Sequence, residues 1–514
     1  MKIQLIHPPV YLNLKAWTAL RPAPPLGFAY VAGALENAGH CVSVIDALAE
    51  APEQTIREGR VMRLGLTVEQ ILARIVPDAE VVGVTNMWSY SWPVIRELLR
   101  EIKAARPDVV LICGGEHFSG LPELSMEQAP IDYIVRGEGE EAIVELVAAL
   151  ERGDLEPSKI AGLVWRDGEK IVRNPPRARV EAIDSIPLPA WHLFDLDSYN
   201  EHGLKTGIDY GKMVPIIATR GCPYSCTYCS SPRMWTTKWL ARDPVLVADE
   251  IEHWAKTYDA NNFPFQDLTV VIKRDWIIAF CKEIIRRRLD IRWQLPSGTR
   301  CEVIDEEVAD LLYRSGCRAL AYAPESGSDE VRKRIKKRMK REGLMEAVDA
   351  AVKSGLHLTC FIVLGFPHDS EAEIRENIAF VRELARRGVE DLACGFFFPI
   401  PSTELFDYLM EKKRIELTDD FLLTPILSHD RYLTEDRNYS EHLSAKRLTM
   451  YRLLLLLNFY TVSFLMRPRR IWRTLVNLVR GREESKLDSF IRIYVANAGR
   501  KLRKVLPARR PVPG

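Results

Sequence analysis

The sequence predicts an α/β protein: a doubly wound, Rossmann-like domain, then a partial (β/α)6 barrel of the TIM type, then a mainly helical region. Three features of the chain predict it. Short apolar runs alternate with helical periodicity over residues 1–150. The alternation resumes over residues 211–412 after a stretch rich in Pro and Asp, and residues 413–514 carry helical patterns and many basic side chains. With 514 residues, 47% hydrophobic and 27% charged, the chain has room for two or three domains, and wholesale disorder is excluded.

KIQLIHPP reads as the first strand, and residues 24–40 as a helix with Pro near its start and Gly39 at its end. CVSVIDAL, VVGVTN, VVLICGG and IDYIVRG follow as short buried strands, with a helix over residues 93–105. Residues 151–210 read as a linker with a small hairpin at GLVWRDGEKIVRN. The second series has strands at MVPIIAT, NFPFQD, IRWQL, CRALAYA, HLTCFIVL and LACGFFF. Helices over residues 243–258, 275–288, 305–314 and 370–386 lie between them. In both architectures ligands sit at the carboxyl ends of the strands.

Charge narrows the partners. Lys and Arg number 71 against 70 Asp and Glu, so the whole chain is no polycation and no nucleic-acid partner is expected. The distribution is uneven: residues 467–514 hold fourteen Lys/Arg and three Asp/Glu. Before them runs LLLLLNFYTVSFLM, fourteen residues, short of the roughly 20 that span a bilayer. It reads either as a buried core helix or as a monotopic contact, with apolar side chains at the lipid and arginines on anionic headgroups. The first residues show no secretory signal, so a cytoplasmic location is expected, with a peripheral contact at the inner face of the membrane.

The cysteines carry the chemistry. Of ten, Cys222, Cys226 and Cys229 crowd into TRGCPYSCTYCSSP, directly after the first barrel strand. Ten are too few for a disulfide scaffold, and the cluster points to a metal site in a reducing compartment. Structural zinc usually takes four ligands in paired Cys-x2-Cys units. No second pair exists: Cys41, Cys113, Cys281, Cys301, Cys317, Cys360 and Cys394 are scattered singly. Three thiolates on one loop suit a 4Fe–4S cluster with one iron left unligated by protein.

This Cys-x3-Cys-x2-Cys loop, with Tyr228 before its last cysteine, resembles that of the radical S-adenosylmethionine enzymes. The resemblance implies that the amino and carboxylate groups of S-adenosylmethionine chelate the open iron. Electron transfer from an external donor, of flavodoxin or ferredoxin type, then releases a 5′-deoxyadenosyl radical. YAPESGSDEVRKRIKK resembles the family's fourth-strand segment, which implies cofactor contacts for Glu325 and Ser326; Ser326 also reads as a helix cap. FIVLGFPHDSEAEI resembles the fifth-strand motif, where Gly365 would let backbone approach adenine. Gln266 and Asp267 in FPFQDLT match the second-strand position that holds the methionine moiety, and Arg300 would pair with its carboxylate. Ser402 in FFFPIPSTELF stands where many of these enzymes carry Gly.

PPLGFAYVAGALENAGHCVSVIDA, LICGGEHFSGLPE and IDYIVRGEGE resemble the cobalamin-binding domain fused to many radical S-adenosylmethionine enzymes. The resemblance implies cobalamin contacts from Trp88, Ser89, Gly114, Gly115, Gly137 and Glu138. The Asp-x-His-x-x-Gly motif that ligates cobalt in many such domains is missing. His7 and His117 are the histidines at strand ends of this domain. The loop TNMWSYSW offers Met87, Trp88, Tyr90 and Trp92, either to cover the lower corrin face or to pack a core. The implied activity is C-methylation of an unactivated carbon on a small-molecule or lipid substrate. Radical cyclisation or carbon–carbon bond formation is the alternative. Methylthiolation of tRNA fits less well, because those enzymes carry a second cysteine triad and this amino-terminal domain has only Cys41 and Cys113.

Overall fold

The computed structural model describes residues 1–13, 16, 21–492 and 495. Its first domain contains β1 (Lys2–His7), α1 (Leu26–Asn37), β2 (Cys41–Asp46), β3 (Val81–Thr85), α2 (Trp92–Ala105), β4 (Val110–Gly114), β5 (Tyr133–Val135) and α3 (Glu140–Arg152). The strands pair in parallel in the order β5-β4-β3-β1-β2. β1 is buried along four consecutive residues, as a central strand covered on both faces must be. Leu35 of α1 and Leu146 of α3 pack on one face, and Leu98 and Leu99 of α2 on the other.

The hairpin forms but does not belong to a linker. Its strands β6 (Leu163–Asp167) and β7 (Lys170–Arg173) extend the first sheet, with β6 antiparallel to β5. The cause is the short, bare edge of β5: Leu163 and Val164 bury themselves there while the ladder closes. A small sheet of Val10–Leu12, Thr55–Glu58 and Val61–Leu64 was not legible in the sequence.

The second domain has a parallel sheet of β8 (Asn262–Pro264), β9 (Arg292–Thr299), β10 (Cys317–Glu325), β11 (His357–Leu364) and β12 (Asp391–Phe396), in that order. The expected first strand is present only as isolated parallel bridges, Met213 to Asn262 and Ile216 to Phe265. Outside the sheet lie α4 (Pro244–Tyr258), α5 (Arg274–Arg287), α6 (Glu306–Arg314), α7 (Arg341–Lys353) and α8 (Glu371–Arg387). Capping is local chemistry: Ser370 and Glu373 form a reciprocal capping box at the start of α8, and Gly388 ends it in the left-handed region.

After α9 (Glu404–Glu411), the two long helices of the carboxyl-terminal region are α10 (Ala445–Met466) and α11 (Arg469–Arg480). The apolar run expected to be fourteen residues is thus part of a 22-residue helix capped by Ser444. That length and composition suffice to cross a membrane, yet Leu448, Tyr451, Leu455 and Phe459 are buried against the barrel. Most of the basic residues that follow α11 lie outside the described residues.

A buried ion-pair chain joins the two domains. Arg220 places one nitrogen 2.6 Å from Glu140 and another 3.3 Å from Glu138, and Arg179 reaches Glu138 at 2.9 Å. Burial works against the Arg220 charge, but Glu140 and Glu138 outweigh it and hold its pKa above the ordinary value. Arg220→Met would leave Glu140 buried without its cation. A loss of about 3–5 kcal/mol is expected in chemical unfolding, and a loss below about 1 kcal/mol would contradict the clamp.

Candidate active site

The cysteine loop leaves Thr219–Arg220, which pairs with Leu240–Ala241. Three tertiary hydrogen bonds pin it. Thr227 N–H donates to Ile335 O at 3.1 Å, Leu405 N–H donates to Thr227 O at 3.0 Å, and the Cys226 thiol points to Lys336 O at 3.8 Å. Burial raises the Cys222 thiol above its usual pKa and pushes Cys229 up to about 12, with the neighbouring cysteines adding to both. Among the described residues, no three His, Cys, Asp or Glu side chains converge as ligands of a single metal ion. Three cysteines at separate points of one loop suit a cluster where each takes a different iron. Loading such a cluster releases the thiol protons.

Beside the loop, Tyr228 OH donates to Glu325 Oε1 at 2.8 Å, and Lys337 Nζ reaches the same oxygen at 3.1 Å. Burial and the adjacent carboxylate hold the Tyr228 phenol well above its usual pKa. Glu325 sits at φ 65°, a left-handed conformation costly for a residue with a Cβ, so the surrounding contacts hold it there. Lys337 was missed from sequence. It is one of two adjacent lysines, and only the turn at Lys336, φ 56°, brings it to the site. Arg300 is 5% exposed, lies 3.8 Å over the Tyr224 ring and bonds Glu302 and Arg338 O.

Several buried polar atoms here lack a protein partner. They are Thr227 Oγ1 on the cysteine loop and Ser231 Oγ just past it, Thr299 Oγ1 at the end of β9 and Arg300 Nη1 next to it, and Asp369 Oδ1 after β11. A polar ligand in the barrel mouth would satisfy such atoms, and the free Arg300 N–H suits a carboxylate. Ser326 Oγ accepts from Ser328 N–H at 3.2 Å, and the neighbouring Gly327 N–H is held by Asn377.

Three expected contacts differ. Asp267 is committed to Ala218 N–H and to the Thr219 N–H and hydroxyl, so it braces the strand entering the cysteine loop. Gln266 bonds Thr206 at 3.0 Å. Gly365, at φ 84°, has Leu448 of α10 where a Cβ would stand, 2.8 Å away. The left-handed backbone favours glycine there, and any Cβ would also press on the terminal methyl of Leu448.

In the first domain Gly115 has φ 106°, and a Cβ would meet Asn86 O at 2.7 Å, which fixes the loops after β3 and β4 side by side. Gly114 ends β4 next to it. Met87 and Trp88 are each 54% exposed, and Trp88 stacks on Tyr90 at 5.9 Å. Asn86 Nδ2 and Ser91 Oγ are buried without partners, and together these groups fit a ligand with both a flat apolar face and amide edges. Trp92 is instead fully buried, donating to Gln128 and stacking on His117. His117 is buried, bonds Ser89 Oγ at 2.9 Å and has its pKa pushed down to about 3 by burial. His7 is engaged by Asp46 at 2.8 Å and Tyr199 at 3.3 Å. Glu138, expected at cobalamin, is occupied by Arg179, Arg220 and Val180 N–H.

The carboxyl ends of the two sheets meet. Ser230, one residue after Cys229, donates to Glu116, one residue after Gly115. Ser402, at φ 62°, donates to Gly120 O at 3.1 Å, and Gly137 faces Met234 O.

Two braces give a pH test. Burial raises Asp267 from 3.8 to about 7 and Asp369 likewise to about 7. Folded pKa values above the unfolded ones mean that folding takes up protons. Their contribution is complete below about pH 4 and is lost as pH rises through about 7, by up to about 1.4 kcal/mol per pH unit for each group. The double variant Asp267→Asn/Asp369→Asn should therefore lose less stability than the wild type over that range. Equal slopes in pH-dependent melting would contradict the assignment.

Comparisons with known proteins agree with this geometry. The B12 binding domain family matches residues 17–147 and the radical SAM superfamily matches residues 216–381. An uncharacterized methyltransferase of Pyrococcus horikoshii is 28% identical over 470 residues, covering 91% of this chain and 93% of its own. The anaerobic magnesium-protoporphyrin IX monomethyl ester cyclase of Rubrivivax gelatinosus is 27% identical, covering 79% and 70%. The fold is similar to that of the radical S-adenosylmethionine methyltransferase TsrM from Kitasatospora setae with cobalamin and a 4Fe–4S cluster bound. The TM-score is 0.61 at 20% identity, over 80% of this chain and 75% of that one. The chain is a cobalamin-dependent radical S-adenosylmethionine enzyme, with a B12-binding domain ahead of its radical domain.

Proposed function

We propose that this enzyme methylates an unactivated carbon of a hydrophobic substrate, in contact with the cytoplasmic surface of a membrane. The observation that carries the reading is the meeting of the two sheets' carboxyl ends, through Ser230 with Glu116 and Ser402 with Gly120. When bound, S-adenosylmethionine and the cluster supply a 5′-deoxyadenosyl radical, and cobalamin supplies a methyl group. Cys222, Cys226 and Cys229 would hold the cluster. Tyr228, Glu325, Ser326 and Arg300 would orient S-adenosylmethionine, with Lys337 fixing Glu325. Gly114, Gly115 and Gly137 would lie along the corrin rim, and Trp88 against its lower face with Ser89 beside it. Such a closed interface excludes water from radical intermediates. An external electron donor, of flavodoxin or ferredoxin type, completes the system.

His117 and His7 are both tied to protein partners, which supports a cobalt without a histidine ligand on its lower face. The cob(II)alamin form should then show no nitrogen superhyperfine splitting in its paramagnetic resonance spectrum; clear splitting from a protein nitrogen would contradict this.

A second reading, radical cyclisation without methyl transfer, draws support from the magnesium-protoporphyrin cyclase relative. Oxygen-free incubation with labelled S-adenosylmethionine and a cell lipid extract separates the two. Methylation should yield S-adenosylhomocysteine in step with 5′-deoxyadenosine and label in a lipid. Deoxyadenosine without homocysteine would favour the cyclase. Cys226→Ala should abolish deoxyadenosine release, and an unchanged yield would overturn both readings.

A further inference from the structure

Helix α11 is inside out. Its polar residues face the protein: Arg470 bonds Asp391 at 3.1 Å, Arg473 bonds Glu390 at 2.6 Å, and Asn477 bonds Asp488 at 3.0 Å. Positions 470, 473 and 477 recur at helical spacing, so they define one buried face. The opposite face is apolar and open to solvent. Trp472 is 71% exposed, Val479 87%, Leu475 50% and Ile471 44%. A helix on a globular surface ordinarily has the reverse arrangement.

The exposed face continues onto α10, whose outward side carries Met450, Leu457, Leu465 and Met466. Beside Met450 and Leu457 opens an apolar cavity of about 550 Å³ with Leu453 and Tyr432 in its wall. Singly scattered apolar residues need no explanation, but this many large exposed apolar side chains on two successive helices mark an interaction surface. Cations rim it. Arg469, Arg480 and Arg482 are exposed, and among the described residues their side chains form no ion pair. The chain is also strongly basic from residue 467 to its end.

We propose that the outward faces of α10 and α11 form the surface by which this enzyme sits on an anionic lipid bilayer. Trp472, Leu475 and Val479 would enter the interface, and the arginines would meet headgroups. An apolar face carrying tryptophan and flanked by arginines fits the boundary between acyl chains and anionic headgroups. Charge selects this occupant over a second copy of the chain, since a symmetric pairing of this face would bring its unpaired arginines together. The ion pairs of Arg470 and Arg473 hold the helix in this orientation before any lipid is met, so binding needs no refolding.

The inference deepens the hydrophobic-substrate reading and rests on it for its purpose, but its test does not involve radical chemistry. Full-length protein is sedimented with vesicles of phosphatidylglycerol and phosphatidylcholine, and with phosphatidylcholine alone, in the absence of S-adenosylmethionine. Binding is expected on the anionic vesicles, weaker on the neutral ones. Trp472→Glu/Val479→Glu should weaken it by about tenfold or more, and Arg469→Glu/Arg480→Glu should weaken it on anionic vesicles only. Leu246→Glu, an exposed leucine of α4, controls for a general loss of surface apolarity, and circular dichroism checks folding. Equal binding by wild type and Trp472→Glu/Val479→Glu would overturn the proposal. So would an absence of vesicle binding together with concentration-dependent self-association that this variant abolishes. Deoxyadenosine release measured without vesicles reports separately on the radical reading.

Discussion

Arg220 stands two residues before Cys222, the first cysteine of the triad, and its guanidinium is held in the other domain by Glu138 and Glu140. A buried charge of this kind tolerates little movement, because any separation leaves ions desolvated and unpaired. The cysteine loop is therefore positioned by the first domain as much as by its own barrel. That constraint holds the carboxyl ends of the two sheets against each other. The Ser230–Glu116 and Ser402–Gly120 contacts lie across the same domain interface as the clamp.

Around the cysteine loop the side chains divide the labour. Asp267 and one oxygen of Asp369 accept from backbone N–H groups of the loops after strands and so hold loop shape, while Asp369 Oδ1 is left without a protein partner. Arg300 and the group around Glu325 keep polar atoms aimed into the mouth. The left-handed backbone at Glu325 and Ser402 is strain of the sort that accumulates where a loop must be held in a particular shape. The carboxyl-terminal helix contributes as well: Leu448 seals the space behind Gly365.

Much of this was legible in the chain. Continuous apolar runs and period-3.6 hydrophobicity placed both parallel sheets and their helices, since these elements are buried, although the first barrel strand forms only isolated bridges. The cysteine triad was legible as three thiols crowded into one loop. Partner choice was not. Sequence assigned Glu138 to cobalamin because it follows a strand-end glycine, yet two arginines distant in sequence claim its carboxylate. Trp92 sat in an aromatic loop motif, but it begins α2 and turns inward. The hairpin of β6 and β7 looked like linker because strand pairing across a domain edge leaves no local signal. The inverted face of α11 depends on Asp391 and Glu390, some 80 residues earlier in the chain.

The central claim is that the two cofactor sites share one chamber. The direct measurement is the magnetic interaction between a reduced iron–sulfur cluster and cob(II)alamin in the same frozen, fully loaded sample. Signals broadened or split by mutual coupling, absent when either centre is omitted, are the expected result. Two spectra that simply add, each unperturbed by the other, would show that the sites do not face one another.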